Sequence, residues 1–103
     1  MNGFTFPTKH PADTLVLGFD FGLLLDNIAF APTVTVSVFE GDDPAPENLL
    51  VETAAIFNNT IVTQKVTAGL DDVIYLLLVQ ATDGVNNWAF EALLPVGQLK
   101  RNI

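Results

Sequence analysis

Ser37 and His10 are the single serine and the single histidine of this chain, so any Ser–His nucleophilic centre would have to bring those two together. Such a centre needs the hydroxyl within hydrogen-bond reach of the imidazole, and a carboxylate to orient the ring. Ser37 stands inside the strand-like run Thr33-Val34-Thr35-Val36-Ser37-Val38-Phe39, and His10 lies in an N-terminal segment set off by Pro7 and Pro11. The pair reads as no triad, and His10 as a solvated or interface histidine. Cysteine is absent, which removes disulfides, thiol catalysis and zinc–thiolate sites together. Twelve carboxylates remain. Glu40, Asp42, Asp43 and Glu47, with Asp71 and Asp72, could offer oxygen ligands to Ca²⁺. Their spacing lacks the carboxylate pattern, central Gly and terminal Glu of a Ca²⁺-binding helix–loop–helix, so they read as wet acidic loops and no metal or other cofactor is expected. Any two of the twelve could form a glycosidase pair, yet one Trp leaves little with which to stack a sugar ring.

The elements that must position these groups are short. Gly69 to Val96 writes out a hairpin: a turn at Gly69-Leu70-Asp71-Asp72, a strand from Val73 to Ala81, a loop at 82–87 and a strand from Trp88 to Val96. Side chains alternate along a strand, so Tyr75, Leu77 and Val79 share one face and Trp88, Phe90, Ala92, Leu94 and Val96 share one face of the partner. Tyr75, after an acidic turn and at the start of a long strand, stands where immunoglobulin-like sandwiches place their tyrosine corner; the alternative is a strand-end tyrosine whose ring packs while its hydroxyl stays in water. Further strands run over Thr14 to Phe21, where Gly18 suggests a bulge or close backbone approach, and over Thr33 to Phe39, with Val34, Val36 and Val38 inward. Leu49 to Phe57 and Thr60 to Thr67 are joined by Asn58-Asn59, which tolerates the positive φ of a tight turn. The sequon-like Asn58-Asn59-Thr60 is read as that turn. Leu23-Leu24-Leu25 reads as a turn plugging one end, and Glu40 to Asn48, with Gly41, Pro44 and Pro46, as an irregular surface connection. With Phe4 to Phe6 the count reaches about seven strands, an all-β immunoglobulin-like antiparallel sandwich.

With 103 residues, half of them apolar, the chain is one domain with enough apolar matter for a core. A net charge of −8 with four cations argues against a nucleic-acid partner, whose phosphates need clustered Lys and Arg. No apolar run is long enough to span a membrane, and the N-terminus lacks the pattern of a signal peptide, so a protein made soluble in a cytoplasm is expected.

The order of features resembles small tailed-bacteriophage virion proteins of the fiber-tail adaptor or neck-associated type. The likeness is carried by Phe6-Pro7-x-Lys9-x-Pro11-x-Asp13, Phe19-Asp20-Phe21, Leu25-Asp26-Asn27-Ile28, the Val/Thr strand, Val62-x-Gln64-x-Val66-x-x-Gly69, Tyr75-x-Leu77 and Leu94-Pro95-Val96. Relatives of that type often carry a second glycine in the turn before the tyrosine and Asp-Thr-Ile in place of Asp26-Asn27-Ile28, and this chain departs from both. The resemblance implies a non-enzymatic structural protein of the virion that joins other phage structural proteins, in a tail or neck ring or at a fiber, and self-assembles in a symmetric ring. A capsid decoration protein and a Ca²⁺-dependent carbohydrate-binding module are the alternatives.

Surplus hydrophobicity points the same way. If Tyr75, Leu77 and Val79 face the core, then Ile74, Leu76 and Leu78 face outward where a lone sandwich would show polar groups, and either a partner subunit or a loop or the N-terminal arm of the same chain is expected to cover them. Residues 1–12, with Phe4, Phe6, Lys9 and His10, read as an extended arm that orders on a neighbour, residues 13–97 as the sandwich, and residues 98–103 as a tail with Lys100 and Arg101. The interface is expected at Phe4, Phe6, Lys9, His10, Leu76, Leu78, Lys100 and Arg101, with Gly69, Tyr75 and Trp88 as framework.

Overall fold

Runs of alternating apolar residues, broken at Pro, Gly and Asn, fold into seven strands in the computed structural model, which describes residues 4–98. In chain order they are β1 (Phe4–Thr5), β2 (Leu15–Asp20), β3 (Thr33–Glu40), β4 (Leu50–Phe57), β5 (Ile61–Val66), β6 (Val73–Thr82) and β7 (Asn87–Val96). One sheet has the order β1-β7-β6-β3 and the other β2-β5-β4. That distribution is an immunoglobulin-like sandwich, with β2, β5 and β4 on one sheet and β3, β6 and β7 on the other. It is not antiparallel throughout: β1 runs parallel to β7, Phe4 opposite Ala92 and Thr5 opposite Leu93. The described residues contain no helix long and apolar enough to cross a membrane.

The β6–β7 hairpin is the spine, paired without a break from Val73 opposite Val96 to Thr82 opposite Asn87. Its inward rows are those the alternation predicts: Tyr75, Leu77, Val79, Ala92, Leu94 and Val96 are buried, while Trp88 and Phe90 are half-buried against the same core. Val34, Val36 and Val38 of β3 face Val79, Leu77 and Tyr75 across the ladder and are likewise half-buried. The opposing sheet contributes Leu17, Phe19, Val62 and Val66. Of the three leucines expected to plug an end, Leu25 is buried, Leu24 half-buried and Leu23 points into water.

Three local expectations are corrected. Gly18 marks no bulge: the β2–β5 ladder passes it in step, and a Cβ there would meet only Ile61 Cγ2 at 3.8 Å, an ordinary contact. The bulges lie instead in β3, between Val38 and Glu40, and in β4, between Val51 and Ala55. In β4 the looped-out backbone, with Glu52 at φ 66°, is held by Gln64, an inward residue that is 2% exposed. The Gln64 amide donates to the carbonyls of Val51, Glu52 and Lys65 at 3.2, 3.1 and 2.9 Å, satisfying polar groups that the bulge would strand. The connection after β3 is not wholly irregular, because Pro46–Leu49 form a 3₁₀ turn opened by the preset φ of Pro46.

The N-terminal segment is also corrected. Its described part, from Phe4, pairs with β7 and closes this sandwich. Phe6 N–H donates to Leu93 O at 2.9 Å, and its ring stands edge-on to Phe19 at 5.7 Å. Lys9 is 0% exposed; its N–H donates to Pro95 O and its carbonyl accepts from Gly97 N–H, both at 2.9 Å. The Lys9 ammonium donates to the carbonyls of Ala68 and His10. A buried ammonium is tolerated only with partners of this kind. The tail with Lys100 and Arg101 lies outside the described residues.

Residues 67–72 carry the chain from one sheet to the other, and the tyrosine corner fastens that crossing. Ala68 and Gly69 take φ of 53° and 92°, and a Cβ on Gly69 would stand 3.0 Å from Val96 Cγ2 and 3.2 Å from Leu49 Cδ1, so Gly69 meets both a conformational and a steric demand. Leu70 N–H donates to Tyr75 Oη at 2.9 Å, and that hydroxyl donates to Asp43 Oδ2 at 2.6 Å. Burial, then the bond to Asp43, pushes the Tyr75 phenol up to about 12.

Tyr75→Phe should cost about 1–3 kcal/mol in chemical denaturation, since it strips a partner from Leu70 N–H and from Asp43. Because the folded state holds the phenol proton more tightly than the unfolded chain, this contribution is complete below about pH 10 and is lost as pH rises towards about 12. Tyr75 is the single tyrosine, so phenolate absorbance reads it directly, with a midpoint near 12 when folded and near 10 in denaturant. A midpoint near 10 in the folded protein would contradict the corner. Lys9→Ala should destabilise by about 2–4 kcal/mol by emptying buried volume and taking the ammonium donor from the Ala68 carbonyl, while His10 O keeps the Asp13 N–H. An unchanged denaturation midpoint would show that Lys9 fastens nothing.

Candidate interaction surfaces

The side chains that could do chemistry are spread apart and engaged in structure. Ser37 sits on the outer side of β3 opposite Leu76. His10 closes an N-terminal turn, its Nδ1 accepting Ala12 N–H at 2.9 Å while its own N–H donates to Asp13 Oδ2 at 3.1 Å. Asp43 serves Tyr75 and also accepts Ala45 N–H at 2.9 Å. Among the described residues, no group of three or more His, Asp or Glu side chains is placed to hold a metal ion.

The outer face of the four-stranded sheet is where surplus apolar surface collects. Along β6 the outward row is Ile74, Leu76, Leu78 and Gln80, opposite Pro95, Leu93, Glu91 and Ala89 of β7. Ile74, Leu76, Leu78, Leu93 and Pro95 are half-buried, screened sideways by one another. On β3, Phe39 is exposed beside this row, with Thr33, Thr35 and Ser37 along the same edge. An open groove of about 310 Å³ crosses the face, lined by Thr5, Phe39, Leu76, Glu91 and Leu93. A smaller one of about 160 Å³ lies between Ile74, Pro95, Glu40 and Asp72. The two place an apolar centre between carboxylates, a face that can bind by burial.

Of the residues expected at an interface, Leu76 and Leu78 lie on this face; Phe4, 43% exposed on edge strand β1, borders the groove but stands opposite inward Ala92, its ring 4.9 Å from that of Phe6 and 6.2 Å from that of Phe19. Phe6 and Lys9 are turned into the domain and His10 belongs to the N-terminal turn, so those three do not join Leu76. The framework residues Gly69 and Tyr75 hold the crossing, and Trp88 packs on the core opposite Ala81, its buried Nε1 without a hydrogen-bond partner among the described residues. Leu93 and Phe39 escaped the sequence reading. Leu93 was legible as the outward complement of Leu94, and Phe39 as the next outward position after Thr33, Thr35 and Ser37.

The opposite sheet presents a more mixed outer face, with Val16 exposed and an exposed Lys65–Glu52 pair 3.8 Å apart that contributes little to stability. No family model matches the chain, and no curated protein or solved structure matches it either.

Proposed function

We propose that the chain is a non-enzymatic structural protein of a tailed-phage particle, an oligomeric adaptor between the tail or neck and a fiber or neighbouring ring. The observation that carries this reading is the outward row Ile74, Leu76 and Leu78 with Leu93 and Phe39, too apolar for a sheet face that meets only water. The likeness in the order of short motifs supplies the setting. A rigid sandwich pinned at its corner offers this face to a flat or strand-bearing neighbour, while carboxylates at its margin, Glu40 and Glu91, oppose contacts with other acidic surfaces.

The test is assembly by a variant that keeps the fold. Leu76→Thr with Leu78→Thr retains strand propensity and should still melt cooperatively, with a loss of about 1–3 kcal/mol for the two half-buried side chains. Purified particles made with it should lack the chain when probed by antibody. Normal incorporation of the variant would refute the role of this face.

A further inference from the structure

The end of the sandwich remote from the Tyr75 corner puts three large apolar side chains into water. Leu23 is 102% exposed, Val85 87% and Phe30 64%. Single exposed apolar residues are ordinary, but these three stand on two loops that are tied together. Ala29 N–H donates to Thr82 O at 2.8 Å, linking loop 21–32 to the base of loop 83–86. A Cβ on Gly84 would lie 3.7 Å from Ala29 Cβ and 4.0 Å from the Phe30 ring.

The tips are presented by fixed turns. Leu24 and Leu25 N–H donate to Phe21 O at 2.9 and 3.1 Å, and Gly22 N–H to Asp20 Oδ1 at 2.8 Å, which sets Leu23 at the crest. Val85 rides on a turn in which Asp83 Oδ1 accepts the N–H groups of Val85 and Asn86 at 2.8 and 2.7 Å, with Gly84 at φ 98°. Thr82 Oγ1 adds bonds to Asn86 O at 2.9 Å and from Gly84 N–H at 3.0 Å. Ordering such loops on binding costs little, because they are already ordered.

Every charged residue beside the tips is acidic: Asp20 below Leu23, Asp26 in the same loop, and Asp83 two residues before Val85. The backbone N–H of Asn86, then that of Val85, holds the Asp83 carboxyl below the usual carboxylate range. Two copies meeting tip to tip would set these carboxylates against each other, and an anionic bilayer would repel them. Convex apolar knobs ringed by carboxylates fit the reverse relief. We propose that this loop end is a second docking surface, distinct from the outer sheet face, whose occupant is a protein surface with apolar pockets edged by Lys or Arg. The inference does not depend on the particle reading.

Two short synthetic peptides with the same leucine pattern, one carrying lysines and the other glutamates, would probe the intact isotope-labelled chain by NMR. The lysine peptide should shift amides of 21–30 and 83–86, less so as salt rises, and the glutamate peptide should not. Leu23→Ser with Val85→Ser alters only exposed side chains, so it should melt like the parent and bind the lysine peptide roughly tenfold or more weakly, as loss of contact anchors does. The proposal is overturned if shifts centre on the acidic corner end, if both peptides bind alike, or if the double variant binds unchanged. It is overturned equally if the tips bind phosphatidylcholine vesicles or drive self-association that the double variant loses.

Discussion

The hydroxyl of Tyr75 is the point on which the two sheets depend. It accepts from Leu70 N–H and donates to Asp43, so a single buried oxygen joins the crossing at 67–72 to the connection that follows β3. Lys9 does the same from the other side, its ammonium on Ala68 O and its backbone paired to Pro95 and Gly97. Between these two ties the backbone takes positive φ at Ala68, Gly69 and Asp72, conformations that an unfastened chain would abandon. With the crossing held, β6 and β7 stack their inward rows on β2 and β5, and their outward rows take the places described above.

That division of labour explains an otherwise odd distribution of polarity. With a net charge of −8, the chain spends one lysine inside and shows Lys65 as the surface lysine among the described residues. Acidic side chains gather in the loops of the corner end, at Asp42, Asp43, Asp71 and Asp72, while the outer sheet face and the opposite loop tips are apolar. Like charge at these loops opposes contact between two corner ends and leaves the apolar areas as the parts of the surface that gain most by burial.

Much of the fold was legible because its spine is local. Val73 to Val96 pair across a short loop, so alternation within one window set both strands, their inward rows and the outward position of Leu76 and Leu78. The tyrosine corner could be read from Tyr75 and its preceding turn. What escaped depends on partners distant in the chain: Asp43 as acceptor for Tyr75, β1 lying parallel to β7, and Lys9 turned inward. Pro7 and Pro11 made that segment look detached, because composition carries no sign of a two-residue pairing with the last strand. Gln64 read as an ordinary strand residue, since it is the β4 bulge that brings the Val51 and Glu52 carbonyls to its amide. The loop tips Leu23, Phe30 and Val85 were hidden among turn signals, where alternation has nothing to say.

The central claim, that this protein acts by burying the outer face of its four-stranded sheet, is tested most directly by thiol labelling, because the chain has no cysteine of its own. Ser37→Cys places a thiol on that face opposite Leu76, and Val16→Cys places one on the outer face of the other sheet, 66% exposed in the native side chain. Both should react readily with a maleimide in the isolated protein. In the assembled particle Ser37→Cys should be protected while Val16→Cys still reacts; equal reaction of Ser37→Cys in both states would contradict the account.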